Sequence, residues 1–169
     1  NEVAGLHVRA ALWLAENGQP LAGLRHAAQA QDWQLMGRLL VTRALPLSLS
    51  AERSALALAL SRIPPDQLAT TPELALAAAT HKFLDNRLGD IEPHLALARE
   101  LAPSTDPVVS AGSQVGQLLL ATAVARTHGD SKQLVEVTTR ALQVLEATGA
   151  ALPAARAYRA IALSNLGTG

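Results

Sequence analysis

The chain has 169 residues with 14 basic and 14 acidic side chains, so no net charge draws it to nucleic acid, and it has no cysteine for disulfides, zinc–thiolate sites or thiol catalysis. Alanine (34) and leucine (31) fill 65 positions against 13 for valine and isoleucine and four aromatics, a balance that favours helices and leaves little material for strands. The apolar runs read as too short for a membrane span, no signal peptide is evident, and the cytosol is the default compartment.

In chain order, Leu6, Ala10, Trp13 and Leu14 recur at helical spacing and Asn17-Gly18 supplies a left-handed stop, which predicts a first helix whose tryptophan packs inward. Pro20 opens a second helix with Leu21, Leu24 and Ala28 on one face. Asp32 occupies an N-cap position before a third, carrying Trp33, Met36 and Leu40 and expected to run to Pro46. Ser50 is placed to cap a fourth, with Leu56 and Leu60 inward, ended by Ile63-Pro64-Pro65.

Thr71-Pro72-Glu73 reads as N-cap, N1 proline and first-turn acid of a fifth helix, with Ala77, His81, Leu84 and Leu88 as its buried stripe and Gly89 as its stop. A sixth follows from Asp90 with Ile91, Leu95 and Ala98 inward, and Ala102 to Pro107 is loop. The seventh, about Val108 to His128, is the longest and carries Val115, Leu119 and Thr122. Asp130 with Gln133 three residues on resembles a capping box for the eighth, with Leu134, Val137, Ala141, Val144 and Leu145 inward. Gly149 ends it, and Pro153 begins a ninth that runs past Tyr158 and Ile161 to Gly167.

Gly89, Gly129 and Gly167 are 40 and 38 residues apart, and a period near that length with two helices each is a solenoid signature. The predicted fold is therefore all-α: antiparallel helix pairs stacked as a tetratricopeptide-like right-handed superhelix, an α-solenoid fragment. Alanines 77, 98, 123 and 141 are placed to let neighbouring helices approach closely. In such a stack each pair touches its neighbours, and a late helix folding back onto an early one is not expected.

No catalytic apparatus is legible. Neither Lys82 nor Lys132 follows a glycine, so no phosphate-binding loop exists, and Ser110 and Ser113 lack a nucleophile elbow. None of His7, His26, His81, His94 and His128 is four residues from another, so no helix presents two imidazoles to a metal; His81, on the predicted buried stripe, reads as a core histidine bonded to a carbonyl. Asp85, Glu92 and Glu100 read as solvated acids, and Arg9, Arg25, Arg38 and Arg43 are too dispersed for a phosphate track. Trp13 and Trp33 are expected inside the first helix trio. Catalytic, cofactor and metal sites are thus read as none, and ligand- or partner-binding residues as unknown.

Two stretches resemble a known family. Leu6 through Gly18, with Ala27-Ala28 and Asp32-Trp33, is similar to the segment after the winged-helix part of large ATP-dependent LuxR-type regulators related to the maltose regulator. Leu60 to Pro64, Thr71 to Leu76 and Leu88-Gly89-Asp90 resemble the opening repeats of the same family's sensor region. The resemblance covers about residues 6 to 101 and implies a connector (residues 1–62) followed by sensor repeats (63–169), with the ATPase and the DNA-binding helix-turn-helix elsewhere. The expectation is a non-catalytic sensor and linker needing no cofactor, binding an effector or protein partner, with self-association possible and no direct contact with nucleic acid or membrane. A free-standing tetratricopeptide-like scaffold for protein partners is the alternative. A start at Asn1 and a stop just after a helical pattern read as those of an excised fragment.

Overall fold

The computed structural model describes residues 2–167, and 78% of these are helical with no strand among them. Nine α-helices follow one another: α1 (Glu2–Glu16), α2 (Pro20–Gln29), α3 (Trp33–Leu39), α4 (Arg53–Leu60), α5 (Pro72–Leu84), α6 (Glu92–Glu100), α7 (Pro107–Thr127), α8 (Ser131–Thr148) and α9 (Ala155–Gly167). Three of the four predicted caps form. Asp32 Oδ1 accepts the Leu35 N–H at 2.9 Å, Thr71 Oγ1 that of Leu74 at 3.3 Å and Asp130 Oδ1 that of Gln133 at 2.9 Å. Asp106, within the predicted loop, caps α7 through the Val108 and Val109 amides.

Tight links force neighbours to pair, and α1 packs on α2, α5 on α6, α7 on α8 and α8 on α9. The first nine residues of α5, Pro72 to Thr80, are all buried, so this helix forms the axis of the molecule, with α3, α4, α6 and α7 against it. One continuous apolar core extends from Ala11 to Tyr158 and draws on residues either side of position 62. The most apolar stretch of α7 has the length and hydropathy of a membrane span, contrary to the expectation of short runs, and 61% of that window is buried in this core.

The first helix turns half of its predicted stripe outward, Ala10 and Leu14 being half-buried. Leu6 and Trp13 are 53% and 61% exposed, whereas Ala11 and Ala15 are buried. The cause is close packing: a Cβ on Gly23 of α2 would lie 2.8 Å from the Ala11 carbonyl oxygen and 3.3 Å from the Ala15 Cβ, a separation only the small-residue face permits. Trp33 does pack against the core, as predicted.

The third helix also departs from expectation. It changes to a π turn over Leu40–Ala44 and then a 3-10 turn over Leu45–Leu49 in which Pro46 is an early residue, not a terminator. The Leu45 amide bonds the Leu40 oxygen, five residues back, so the next amide would serve Val41 in the π pattern or Thr42 in the α pattern. Residue 46 is proline and has no N–H. Both carbonyls are instead satisfied from the far end of the chain: Tyr158 Oη donates to the Val41 oxygen at 2.7 Å and the Ala154 amide to the Thr42 oxygen at 3.0 Å. The start of α9 is thereby fastened to the segment after α3, the return of a late helix to an early element that a simple stack does not make. Against both packs α7, where a Cβ on Gly112 would sit 2.6 Å from the Val41 oxygen.

The stops behind the proposed period are mixed. Gly129 is left-handed (φ 67°), but α5 ends at Leu84 with Asn86 in the left-handed conformation (φ 58°), Gly89 lies in a 3-10 turn, and Gly167 is the last residue of α9. The structural turn thus comes earlier than the glycine spacing implied. Ser50 accepts the Glu52 amide at 3.1 Å in a turn ahead of α4 and is not its N-cap.

Candidate functional site

Because α9 is drawn back, the 3-10 turn at residues 45–49 faces the C-terminal halves of α7 and α9, and the end of α5 completes the enclosure. Between them lies a partly open pocket of about 310 Å³. Leu45, Leu49, Phe83, Leu88, Leu119, Ala123 and Ile161 make its walls apolar. The ring of Tyr158 joins them while its hydroxyl is held by Val41, and burial pushes that hydroxyl's pKa well above the usual phenol value.

A polar chain marks one side. Arg126 Nη2 donates to Asn165 Oδ1 at 2.9 Å, Asn165 Nδ2 donates to Thr122 Oγ1 at 3.2 Å, and Thr122 Oγ1 donates to the Leu119 oxygen at 2.6 Å. An apolar wall with a few converging polar groups suits a small molecule. A cavity of 150 Å³ can hold benzene, and this one is about twice as large, room for an occupant of roughly two fused rings. No nucleophile–base pair lines it.

Two further hollows lie along α7. One of about 540 Å³ is formed with α6 and α8 and lined by Glu92, Arg99, Gln114, Gln117, His128, Gln133 and Arg140, among others. The second, about 330 Å³, shares Arg99, Gln114 and Gln117 with it and reaches Glu73 at the start of α5.

The residues weighed for chemistry are scattered. His81 is not a core histidine bonded to a carbonyl; it sits half-buried where α5 leaves the core, with Nδ1 3.6 Å from an Asp85 carboxylate oxygen. Glu92 pairs with Arg99 at 2.8 Å, Glu100 is exposed, and Ser113 is buried, its hydroxyl accepting from Gln117 Nε2 at 3.3 Å. Arg38 reaches Asp106 at 3.5 Å, Arg9 and Arg25 are exposed, and Arg43 is half-buried, so the four form no track. The antiparallel pairing of α1 and α2 does unite two histidines: His7 Nδ1 and His26 Nδ1 are 2.9 Å apart, one accepting the other's proton. Among the described residues no three metal-ligating side chains cluster. Leu45, Leu49, Phe83, Arg126 and Asn165 go unmarked in the sequence and Thr122 reads there only as part of the α7 stripe, because nothing local announces that four distant segments converge.

Comparison with protein-family models, curated proteins and solved structures found no match to this chain.

Proposed function

We propose that this chain is the non-catalytic sensor and linker region of a LuxR-type transcription regulator, and that the pocket between residues 45–49, α5, α7 and α9 receives an apolar effector. In this reading the helix pairs wind as a tetratricopeptide-like right-handed superhelix, residues 1–62 forming the connector and 63–169 the repeats, coiled tightly enough that its last helix closes on the turn after α3. ATP hydrolysis and DNA binding belong to other domains, and the chain works in the cytosol.

The observation that carries the reading is that one pocket has walls from positions as far apart as Leu45 and Asn165. An occupant that prefers α9 seated on the 40–49 segment shifts the balance between seated and released forms by its difference in affinity for the two. The apolar stripe of Val3, Leu6 and Trp13 on α1, each more than half exposed, is what a segment within a longer helical array presents.

The test uses 1-aminonaphthalene, a fluorescent probe of two fused rings. Saturable binding, weakened at least tenfold by Ala123→Trp, and slowed amide exchange in residues 40–49 and α9 are expected. Absence of binding, or binding without any change in exchange there, refutes the reading. A free-standing scaffold for protein partners is the second reading; the hollow of about 540 Å³ along α6, α7 and α8, with charged and amide side chains on its walls, favours it, and peptide binding there with an inert apolar pocket would establish it.

A further inference from the structure

Glu73 stands in the first turn of α5 at 6% exposure, the only charged residue buried among the described residues. Its Oε1 is sealed from solvent without a hydrogen-bond partner, and no ion pair or hydrogen bond reaches the carboxylate from the described residues. Close packing buries it: a Cβ on Gly37 of α3 would lie 2.9 Å from the Glu73 Cβ, so α3 lies directly over the side chain. A carboxylate withdrawn from water without a partner is costly, and the positive end of α5 offsets only part of that cost.

Its remaining face lines the hollow of about 330 Å³ between the start of α5, the loop after α6 and α7. Ser104, Ser110, Ser113 and Gln117 stand on its walls beside apolar side chains such as Leu101 and Pro103. Its other charged wall residue, Arg99, is held at 2.8 Å by Glu92, which leaves the negative charge of Glu73 in surplus.

We infer that this hollow is a binding site for a primary ammonium group, whose charge Glu73 neutralises. The preference for ammonium over guanidinium follows from the sealed Oε1. A guanidinium gains most from both carboxylate oxygens together, whereas an ammonium is a compact charge with three N–H donors. One donor meets Glu73, and the Ser110 hydroxyl and the Gln117 amide oxygen are available to accept the others, Ser104 and Ser113 already accepting from the Asp106 amide and Gln117 Nε2. The site is separate from the apolar pocket and stands whether or not that pocket binds an effector.

The donor can be a free amine or a lysine side chain of a partner, and the arms of the test separate them. Thermal unfolding of the whole chain is followed with cadaverine, with Nα-acetyl-lysinamide, and with tetramethylammonium, which has charge but no N–H. A concentration-dependent rise in Tm is expected with one or both of the first two at constant ionic strength, and none with the third. Cadaverine active alone identifies the free amine, and the lysine derivative active alone identifies a partner's side chain. Glu73→Gln keeps the shape, removes the buried charge and abolishes the rise, while Arg99→Gln, which removes the nearby cation, leaves the rise intact or enlarges it. Equal rises in wild type and Glu73→Gln, an equal rise with tetramethylammonium, or no rise with any primary amine at 20 times the protein concentration and above, into the millimolar range, overturns the proposal.

Discussion

Replacing Tyr158 by phenylalanine deletes one oxygen and with it the donor to the Val41 carbonyl at 2.7 Å, where both residues are fully buried. No neighbouring backbone amide can step in, since the one in register belongs to Pro46. Leaving a buried carbonyl unsatisfied costs about 1–3 kcal/mol, and the ring and its packing stay in place, so Tyr158→Phe should destabilise by about 2 kcal/mol. Urea unfolding followed by circular dichroism would show a lower midpoint at unchanged slope. The decisive arm is the same substitution in a Pro46→Ala background, which restores an N–H at residue 46. There the cost should fall to roughly half or less, a coupling read from the double-mutant cycle. A cost below about 0.5 kcal/mol in the wild-type background, or an equal cost in both, would refute the reasoning.

Three other outcomes follow from the same packing. Gly112→Ala places a methyl against the Val41 backbone, which no side-chain rotation relieves, and should lower stability by about 1–3 kcal/mol, whereas Gly89→Ala meets nothing within 4 Å and should be nearly neutral by the same assay. Tyr158 is the only tyrosine, so the rise in absorbance at 295 nm with pH, above the constant tryptophan background, reports it alone; phenolate should be absent above pH 10 until the protein unfolds. Its folded pKa is raised, so its contribution is whole below about pH 10 and is lost above it, by about 1.4 kcal/mol per pH unit relative to Tyr158→Phe. His94 is shifted the other way, its pKa lowered first by burial and then by Lys82, against an opposing pull from Asp90. Its contribution is therefore complete above about pH 6.5 and lost as pH falls through that value, and His94→Gln should flatten the slope of stability against pH in that range.

Much of the helical order was readable one residue at a time. Asp32, Thr71 and Asp130 cap the helices predicted for them because a cap is a contract between a side chain and an amide two or three positions on. Ile91, Leu95 and Ala98 are buried as their spacing implies. Trp13 shows where such reading fails: periodicity reveals a stripe but not which stripe wins, and the alanine face was chosen by how near α2 could come. Glu73, read as a first-turn acid, has its dipole role in α5, yet its burial under α3 depends on a glycine 36 positions earlier. Pro46 was legible as an interruption, but not as the cause of two carbonyls waiting for α9.

Helix content, caps and the absence of strands were thus determined by the sequence alone, since each rests on propensities and hydrogen bonds spanning four or five residues. The outward turn of Trp13, the fastening of α9 to the π turn, the apolar pocket and the partnerless Glu73 were decided only by the tertiary structure. Each arises where segments tens of residues or more apart come into van der Waals contact, and small side chains and missing amides acquire their meaning only from what lies opposite them.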